Sequence, residues 1–152
     1  MKLKIPPVFV VALCALLMWA LNKYLLSDFN IHFEGQRIIA RVFFGICVML
    51  LLWAIGFFMK KGTTVDPSNP DKASSLVQSG IYRYTRNPMY LGMLFMLLAF
   101  AVKVGNPFNF LILVFFVWYM TKFQIKPEEE ALTQIFGEEY SVYCKKVRRW
   151  LF

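Results

Sequence analysis

Two polar clusters interrupt an otherwise apolar sequence, and both carry side chains that can bind a charged ligand. The first cluster, residues 80–92, contains Arg83, Arg86, an Asn-Pro pair and three tyrosines. The second is the acidic run at residues 128–130, which follows one further apolar hairpin. Guanidinium groups and free backbone N–H groups bind carboxylates, whereas glutamates bind ammonium groups. Together the two clusters suit a zwitterionic ligand.

Other kinds of catalytic site have no counterpart in the sequence. It contains no Gly-x-Gly-x-x-Gly phosphate cradle, no Ser/His/Asp set and no His/Glu zinc pair. The single histidine, His32, is expected to be a surface residue. Cys14, Cys47 and Cys144 are too widely spaced for a metal motif or a disulfide framework. Chemistry by a bound cofactor, which the protein positions, is the option that remains.

The composition indicates a membrane protein. Hydrophobic residues make up 59% of the 152 residues, and they occur in blocks near the roughly 20 residues that a membrane span requires. We therefore predict an all-α integral membrane protein in one domain, residues 1–152, with about four transmembrane helices and a C-terminal amphipathic cytoplasmic helix. The predicted spans are residues 5–26, 38–59, 89–104 and 107–124. The first span is long and lacks an Ala-x-Ala site, so it is expected to be uncleaved.

The segments outside the spans carry their own signals. A Gly-Asn-Pro run at residues 105–107 predicts a tight turn between the third and fourth spans, and residues 62–79 form a long polar loop. Pro127 is expected to open the C-terminal helix, and basic residues are expected in its last turns (Lys145, Lys146, Arg148 and Arg149). Its apolar face comprises Leu132, Phe136, Tyr140, Tyr143, Val147 and Leu151. Such a helix would lie at a lipid interface.

The distribution of positive charge predicts the orientation in the membrane. The formal net charge is +8, and four of the 17 lysines and arginines fall at one side of the predicted bundle (Lys23, Arg37, Arg41 and Lys103). The other 13 lie on the opposite side, in the N-terminal segment, the loop after the second span and the C-terminal segment. Cytoplasmic loops carry the excess of positive charge. Both termini and both polar clusters are therefore expected at the cytoplasmic face, in a bacterial inner membrane, and no nucleic-acid-binding pattern accompanies the charge.

Each signal taken alone also has a simpler interpretation. Glutamates are common in the first turn of a helix because of the helix dipole. Arginines that border a span commonly contact lipid headgroups, and tyrosines at span ends are commonly interfacial anchors. What favours a binding site is that all of them fall on one face and flank a single helical hairpin.

The two clusters belong to two longer motifs with a family resemblance. The first motif reads SGIYRYTRNPMYLG at residues 79–92, and Asn106-Pro107 follows it. The second motif consists of Glu128, Glu129, Leu132, Phe136, Gly137, Tyr140, Tyr143, Val147 and Arg149. This pattern resembles the isoprenylcysteine carboxyl methyltransferase family, which is related to phospholipid methyltransferases, in a short bacterial-type form. The resemblance covers residues 62–152, which are therefore expected to form the cofactor-binding core.

The resemblance implies S-adenosylmethionine as the cofactor and methyl transfer as the reaction. The acceptor would be lipophilic, either an isoprenylcysteine carboxylate or another lipid-like molecule, and the other partners would be membrane lipids. The catalytic residues are expected to be Glu129, Arg86 and Gln124, and Glu129 would pair with the ammonium group of the cofactor. The cofactor-binding residues are expected to be Tyr82, Arg86, Asn87, Pro88, Tyr90, Leu91, Gly92, Glu128, Glu129 and Tyr140.

Two positions depart from the family pattern. Asn87 stands where the prenylcysteine enzymes have histidine, and Gln124 stands about where the eukaryotic enzyme has arginine. These departures leave the acceptor open. An alternative interpretation is an NADPH-dependent sterol-type membrane reductase, whose signature is similar. That signature has an acidic residue after the glycine, where this chain has Met93.

Overall fold

The structure, a computed structural model, describes residues 5–61 and 76–151, with side chains for residues 5–57 and 76–151. Most of the polar loop predicted at residues 62–79 therefore lies outside the described residues. All regular structure in the described part is helical. The helices are α1 Pro7–Ala20, α2 Gln36–Lys61, α3 Pro88–Val104, α4 Asn109–Met120 and α5 Lys126–Lys146.

Three stretches of the described residues are long and apolar enough to cross a membrane. They are Pro7–Leu25, Gln36–Phe57 and Asn109–Lys146. The apolar helix α3 has 17 residues, which is about 25 Å at 1.5 Å per residue and short for a span. The prediction of an all-α protein of membrane type is confirmed for the described residues. Helix α3 lies where the third of the four predicted spans was placed, and the count of four spans stays a prediction.

Helices α2 and α3 pack against each other most extensively, and a glycine permits their close approach. A Cβ atom at Gly92 would lie 3.1 Å from the side chain of Leu51 and 3.5 Å from the carbonyl oxygen of Cys47 on α2. The adjacent core is filled by large apolar side chains, including the buried Leu97 of α3 and Phe116 of α4. This packing fixes the start of α3, where the first polar cluster lies.

The turn between α3 and α4 lies at the opposite end of the bundle and is confirmed. Gly105 has a φ of +80°, in the left-handed region that favours glycine. The side chain of the buried Asn106 donates to the carbonyl of Leu26 at 2.6 Å and to Oδ1 of Asn30 at 3.0 Å. These buried hydrogen bonds join the turn to the segment after α1 and stabilise it.

The C-terminal helix differs from its prediction at both ends. It continues from α4 through a π turn at Thr121–Ile125, so Pro127 does not open a separate helix. The wide π turn precedes the proline and gives its ring room that a regular α-helix would not. At the other end the helix stops at Lys146, and Val147 is extended. Arg148 and Arg149 therefore lie beyond the helix, contrary to the prediction, and Leu151 is exposed rather than part of its apolar face.

Candidate functional site

A short 3₁₀ helix presents the first polar cluster to the rest of the bundle. It spans Gly80–Arg83, and Gly80 has a φ of +63°. The side chain of Thr85, which is fully buried, then accepts from the backbone N–H of Asn87 at 3.2 Å. Pro88 occupies the first turn of α3, where its missing N–H costs the helix little. This local structure fixes the backbone directly before α3.

Glu129 lies between two arginines. Its Oε1 accepts from Nη2 of Arg86 at 2.8 Å and from Nε of Arg149 at 3.0 Å. Its Oε2 accepts from Nη2 of Arg149 at 2.6 Å. The side chain of Arg86 is 10% exposed and that of Glu129 is 17% exposed. The hydrogen bonds to Glu129 raise the pKa of Arg149. The three groups form a charged cluster that joins the segment before α3, the helix α5 and the segment after α5.

Glu128 lies in a different environment from its neighbour. Its Oε1 accepts a hydrogen bond from the hydroxyl of Tyr90, which is 3% exposed. No cation pairs with Glu128 within the described part of the chain. Burial raises the pKa of Glu128 from 4.5 to about 8, with a further increase from the charge of Glu129 and an opposing decrease from the hydrogen bond of Tyr90. Glu128 is therefore a carboxyl group that a ligand cation would stabilise in its charged form.

The C-terminal segment, residues 147–151, folds back onto the first cluster. The backbone N–H of Arg86 donates to the carbonyl of Arg148 at 3.0 Å. The side chains of Thr85 and Asn87 donate to the carbonyl of Arg149 at 3.1 and 3.0 Å. Trp150 is buried and donates from Nε1 to Oγ1 of Thr121 at 3.0 Å. These bonds hold Arg149 where its guanidinium reaches Glu129.

Buried tyrosines border the charged cluster. The hydroxyl of Tyr143 donates to the carbonyl of Tyr82 at 2.7 Å, and the ring of Tyr143 lies 6.1 Å from that of Tyr140. Burial raises the pKa of Tyr82, and the nearby Tyr143 and Glu128 raise it further. Burial followed by the charge of Glu129 raises the pKa of Tyr140. These phenols therefore stay neutral and offer aromatic surface beside the carboxylates.

The other predicted site residues lie around this cluster or apart from it. Leu91 is buried in the core, and Gly92 faces α2. The fully buried side chain of Gln124 donates to the backbone carbonyl of Ile5. Its Oε1 has no hydrogen-bond partner in the part of the chain that the structure describes. Among the described residues Gln124 makes no hydrogen bond to Glu129, so its catalytic role stays a prediction.

The arrangement fits a ligand that carries both an ammonium and a carboxylate group. The Nε–H of Arg86 is buried without a partner among the described residues, although the other two nitrogens of the guanidinium donate to Glu129 and to the carbonyl of Cys144. An unpaired buried donor of this kind favours a ligand acceptor. Glu128 supplies the complementary carboxyl group, which a ligand cation would hold in its charged form. Glu129, which was expected to take the ammonium group, is already neutralised by two arginines.

Sequence reasoning did not identify how Arg149 and Thr85 contribute to this cluster. Arg149 was interpreted as a charge in the last turn of the helix, because the apolar periodicity continues past residue 146. Thr85 is one residue of the first motif and carries no local signal of its own. The family resemblance was the available signal for Arg149, since the second motif ends there.

Comparisons with known proteins bear on the same region of the chain. A model of the phospholipid methyltransferase family matches residues 36–139. An uncharacterised protein of Haemophilus influenzae is 44% identical over 63 residues, which are 41% of this chain and 100% of that protein. No solved structure matches the chain.

Characterised relatives match a shorter share of their own length. The protein-S-isoprenylcysteine O-methyltransferase of Saccharomyces cerevisiae is 33% identical over 47% of this chain, and that of Homo sapiens is 34% identical over 48%. The matched region spans only 30% and 26% of these two proteins. The resemblance predicted from the two motifs is confirmed. Because the family match covers well over half of its length, the chain belongs to the phospholipid methyltransferase family.

Proposed function

We propose that the protein is an S-adenosylmethionine-dependent methyltransferase that acts at the membrane on a lipophilic acceptor. The observation that carries the proposal is that, in the described part of the chain, one cluster contains both a carboxyl group without a counter-ion and a buried N–H group without an acceptor. Within the described residues, Glu128 is a partly buried carboxyl group without a cation, and Arg86 has a buried N–H without an acceptor. The ammonium group of a methionine-like zwitterion would pair with Glu128, and its carboxylate would accept from Arg86. The family membership supports the same ligand.

The roles of the two glutamates follow from their partners. Glu128 would accept the ammonium group, while Tyr90 orients its carboxylate through a hydrogen bond. Nε of Arg86 would donate to the ligand carboxylate, while Glu129 and the carbonyl of Cys144 hold the guanidinium in place. Glu129 then acts as a positioning residue for Arg86, together with Arg149. Tyr82 and Tyr140 would offer apolar surface to the nucleoside part.

The bound cofactor would supply a methyl group on a sulfonium sulfur, which an oxygen, nitrogen or sulfur nucleophile on the acceptor can displace in line. The protein's task in such a reaction is to align the two reactants and to exclude water. The fold-back of the C-terminal segment supports both tasks, because it holds the backbone of residues 148 and 149 against Thr85, Arg86 and Asn87. The remaining predicted cofactor contacts, at Asn87, Pro88, Leu91 and Gly92, would come from the start of α3.

The acceptor would approach from the lipid. Two named relatives are protein-S-isoprenylcysteine O-methyltransferases, so a prenylated cysteine or another lipid-like molecule is the proposed class. Asn87 and Gln124 differ from the pattern of the prenylcysteine enzymes, and Gln124 would act on the acceptor side of the site. The whole chain, residues 1–152, would form one methyltransferase domain, with residues 62–152 as its cofactor-binding core.

The proposed topology puts this chemistry at the cytoplasmic face of a bacterial inner membrane. Of the 17 lysines and arginines, only Lys23, Arg37, Arg41 and Lys103 lie at the other side of the bundle, and this asymmetry supports a cytoplasmic site by the positive-inside rule. Four spans would then leave both termini in the cytoplasm, with α5 as an amphipathic helix at the lipid interface. The comparisons offer no support for a sterol-type reductase, which is not proposed.

Calorimetry with S-adenosylhomocysteine on the detergent-solubilised protein tests the proposal. Glu128→Gln keeps the shape of the side chain but removes its charge, so binding should weaken by about 2–5 kcal/mol if the charge pair is buried. Glu130→Gln is the matched control, because Glu130 is exposed and lies two residues along the same helix. Absence of binding to the unmodified chain, or equal affinity of both variants, would contradict the proposal.

A further inference from the structure

A second site-like feature lies at the end of the bundle opposite the charged cluster. A cavity of about 630 Å³ opens between the start of α2 and the end of α3. Its lining combines the cations Arg37, Arg41 and Lys103 with an apolar wall that includes Phe44, Met96 and Phe100. The length of α3, about 25 Å, separates it from the first polar cluster. The cavity is therefore independent of the proposed methyl-transfer site.

The two arginines and the lysine that line this cavity have no ion-pair partner among the described residues. Arg37, Arg41 and Lys103 are exposed, and none of the residues that line the cavity is acidic. Neither described ion pair involves them. The nearby Gln36 is occupied, because its Nε2 donates to the carbonyls of Val102 and Lys103 at 2.6 and 3.2 Å. An anion would be the first counter-charge at this end of the cavity.

The placement of these cations is unfavourable without such an anion. Arg37 and Arg41 are four residues apart on α2, and like charges at that spacing repel. Both lie near the helix N-terminus, whose dipole disfavours positive charge, and the first turn of α2 contains no acidic residue. A bound anion would relieve all of these repulsions together.

We propose that this cavity binds an anionic phospholipid, with its phosphate between Arg37, Arg41 and Lys103. The apolar part of the lining favours a lipid over a soluble anion as the ligand. Phe44 on α2, together with Met96 and Phe100 on α3, continues from the cations toward the middle of the membrane. An acyl chain can lie against that wall, whereas inorganic phosphate has no apolar part that would contact it. The site would select lipids by headgroup charge.

Native mass spectrometry of the full chain in detergent tests this proposal. The protein is incubated with equal amounts of phosphatidylglycerol and phosphatidylcholine, and the retained lipid is identified. The unmodified chain should retain phosphatidylglycerol preferentially. The combined variant Arg37→Gln, Arg41→Gln and Lys103→Gln should lose that preference, since each cation near a membrane surface contributes roughly a fivefold effect on anionic-lipid affinity. Lys103→Gln alone should lose roughly fivefold, which keeps the test informative if the combined variant does not fold.

Two controls separate a built site from general attraction. Lys23→Gln removes a cation from the same end of the bundle, where Lys23 lies 4.9 Å from the ring of Trp19 and does not line the cavity. This variant should retain phosphatidylglycerol like the unmodified chain. Equal losses in Lys23→Gln and Lys103→Gln would overturn the proposal, because the cations would then only attract headgroups generally. Full displacement of the lipid by inorganic phosphate would also overturn it, in favour of a free-anion site.

Discussion

Replacing Glu129 with glutamine should destabilise the protein far more than the same change at Glu130. Glu129 is 17% exposed and accepts three hydrogen bonds from Arg86 and Arg149. Glu130 is exposed. The two substitutions remove the same charge from adjacent positions of one helix. Their difference therefore measures the charged cluster and not the helix itself.

The magnitude follows from the burial of the two arginines. Arg86 is 10% exposed, and removal of one partner of a buried ion pair costs about 3–5 kcal/mol because the other charge is left uncompensated. Arg86 keeps its bond to the carbonyl of Cys144 at 3.1 Å, which favours the lower end of that range. Arg149 is 32% exposed, so water can solvate its guanidinium when Glu129 is replaced. The loss of the Arg149–Glu129 pair therefore adds only about 0–1 kcal/mol to the cost. We expect a loss of about 3–4 kcal/mol for Glu129→Gln.

Thermal unfolding of the purified variants in one detergent checks this value. For a chain of this size, 1 kcal/mol corresponds to roughly 2–4 °C, so the midpoint should fall by about 6–16 °C. Glu130→Gln should stay within about 0.5 kcal/mol of the unmodified chain. If both variants melted together, the cluster would not stabilise the fold, and the positioning role assigned to Glu129 would be refuted.

Two further perturbations probe the site and its scaffold. Burial raises the pKa of Glu128 from 4.5 to about 8, so between these two pH values the folded chain keeps a proton that the unfolded chain releases. The free energy of unfolding should therefore fall as the pH rises from about 4.5 to about 8. The unfolding midpoint of Glu128→Gln should lack this pH dependence. Gly105→Ala should cost about 1–3 kcal/mol, since Gly105 has a φ of +80° and its Cβ would lie 2.5 Å from the carbonyl oxygen of Ile31, whereas Gly45→Ala, with open space around it, should be neutral or stabilising in the same unfolding assay.

Most helices could be predicted because apolar blocks and turn residues mark them locally. The Gly-Asn-Pro run marks the turn at residues 105–107, and Pro88 marks the start of α3. The continuation of α4 into α5 could not be predicted in this way. Pro127 normally starts a helix, and the π turn that accommodates it leaves no clear composition signal.

The sequence predicted which residues form the candidate site, but not which of them pair with one another. Both clusters were expected to meet, and Arg86 does contact Glu129. Arg149 could not be assigned because its contact depends on the fold-back of the chain after Lys146, and the apolar periodicity continues through Val147 without a break. That fold-back changes the role of Glu129 from a ligand contact to the support of Arg86. Glu128 is then the uncompensated carboxyl group of the pair.

The activity proposed for this chain is the transfer of a methyl group from S-adenosylmethionine to a lipophilic acceptor. The most direct measurement incubates membranes that contain the protein with cofactor labelled in its methyl group, and then counts the label in the organic extract. We expect label in that extract for the unmodified chain, much less for Glu128→Gln, and the unmodified level for Glu130→Gln. Equal label in all three preparations and in membranes without the protein would contradict the account.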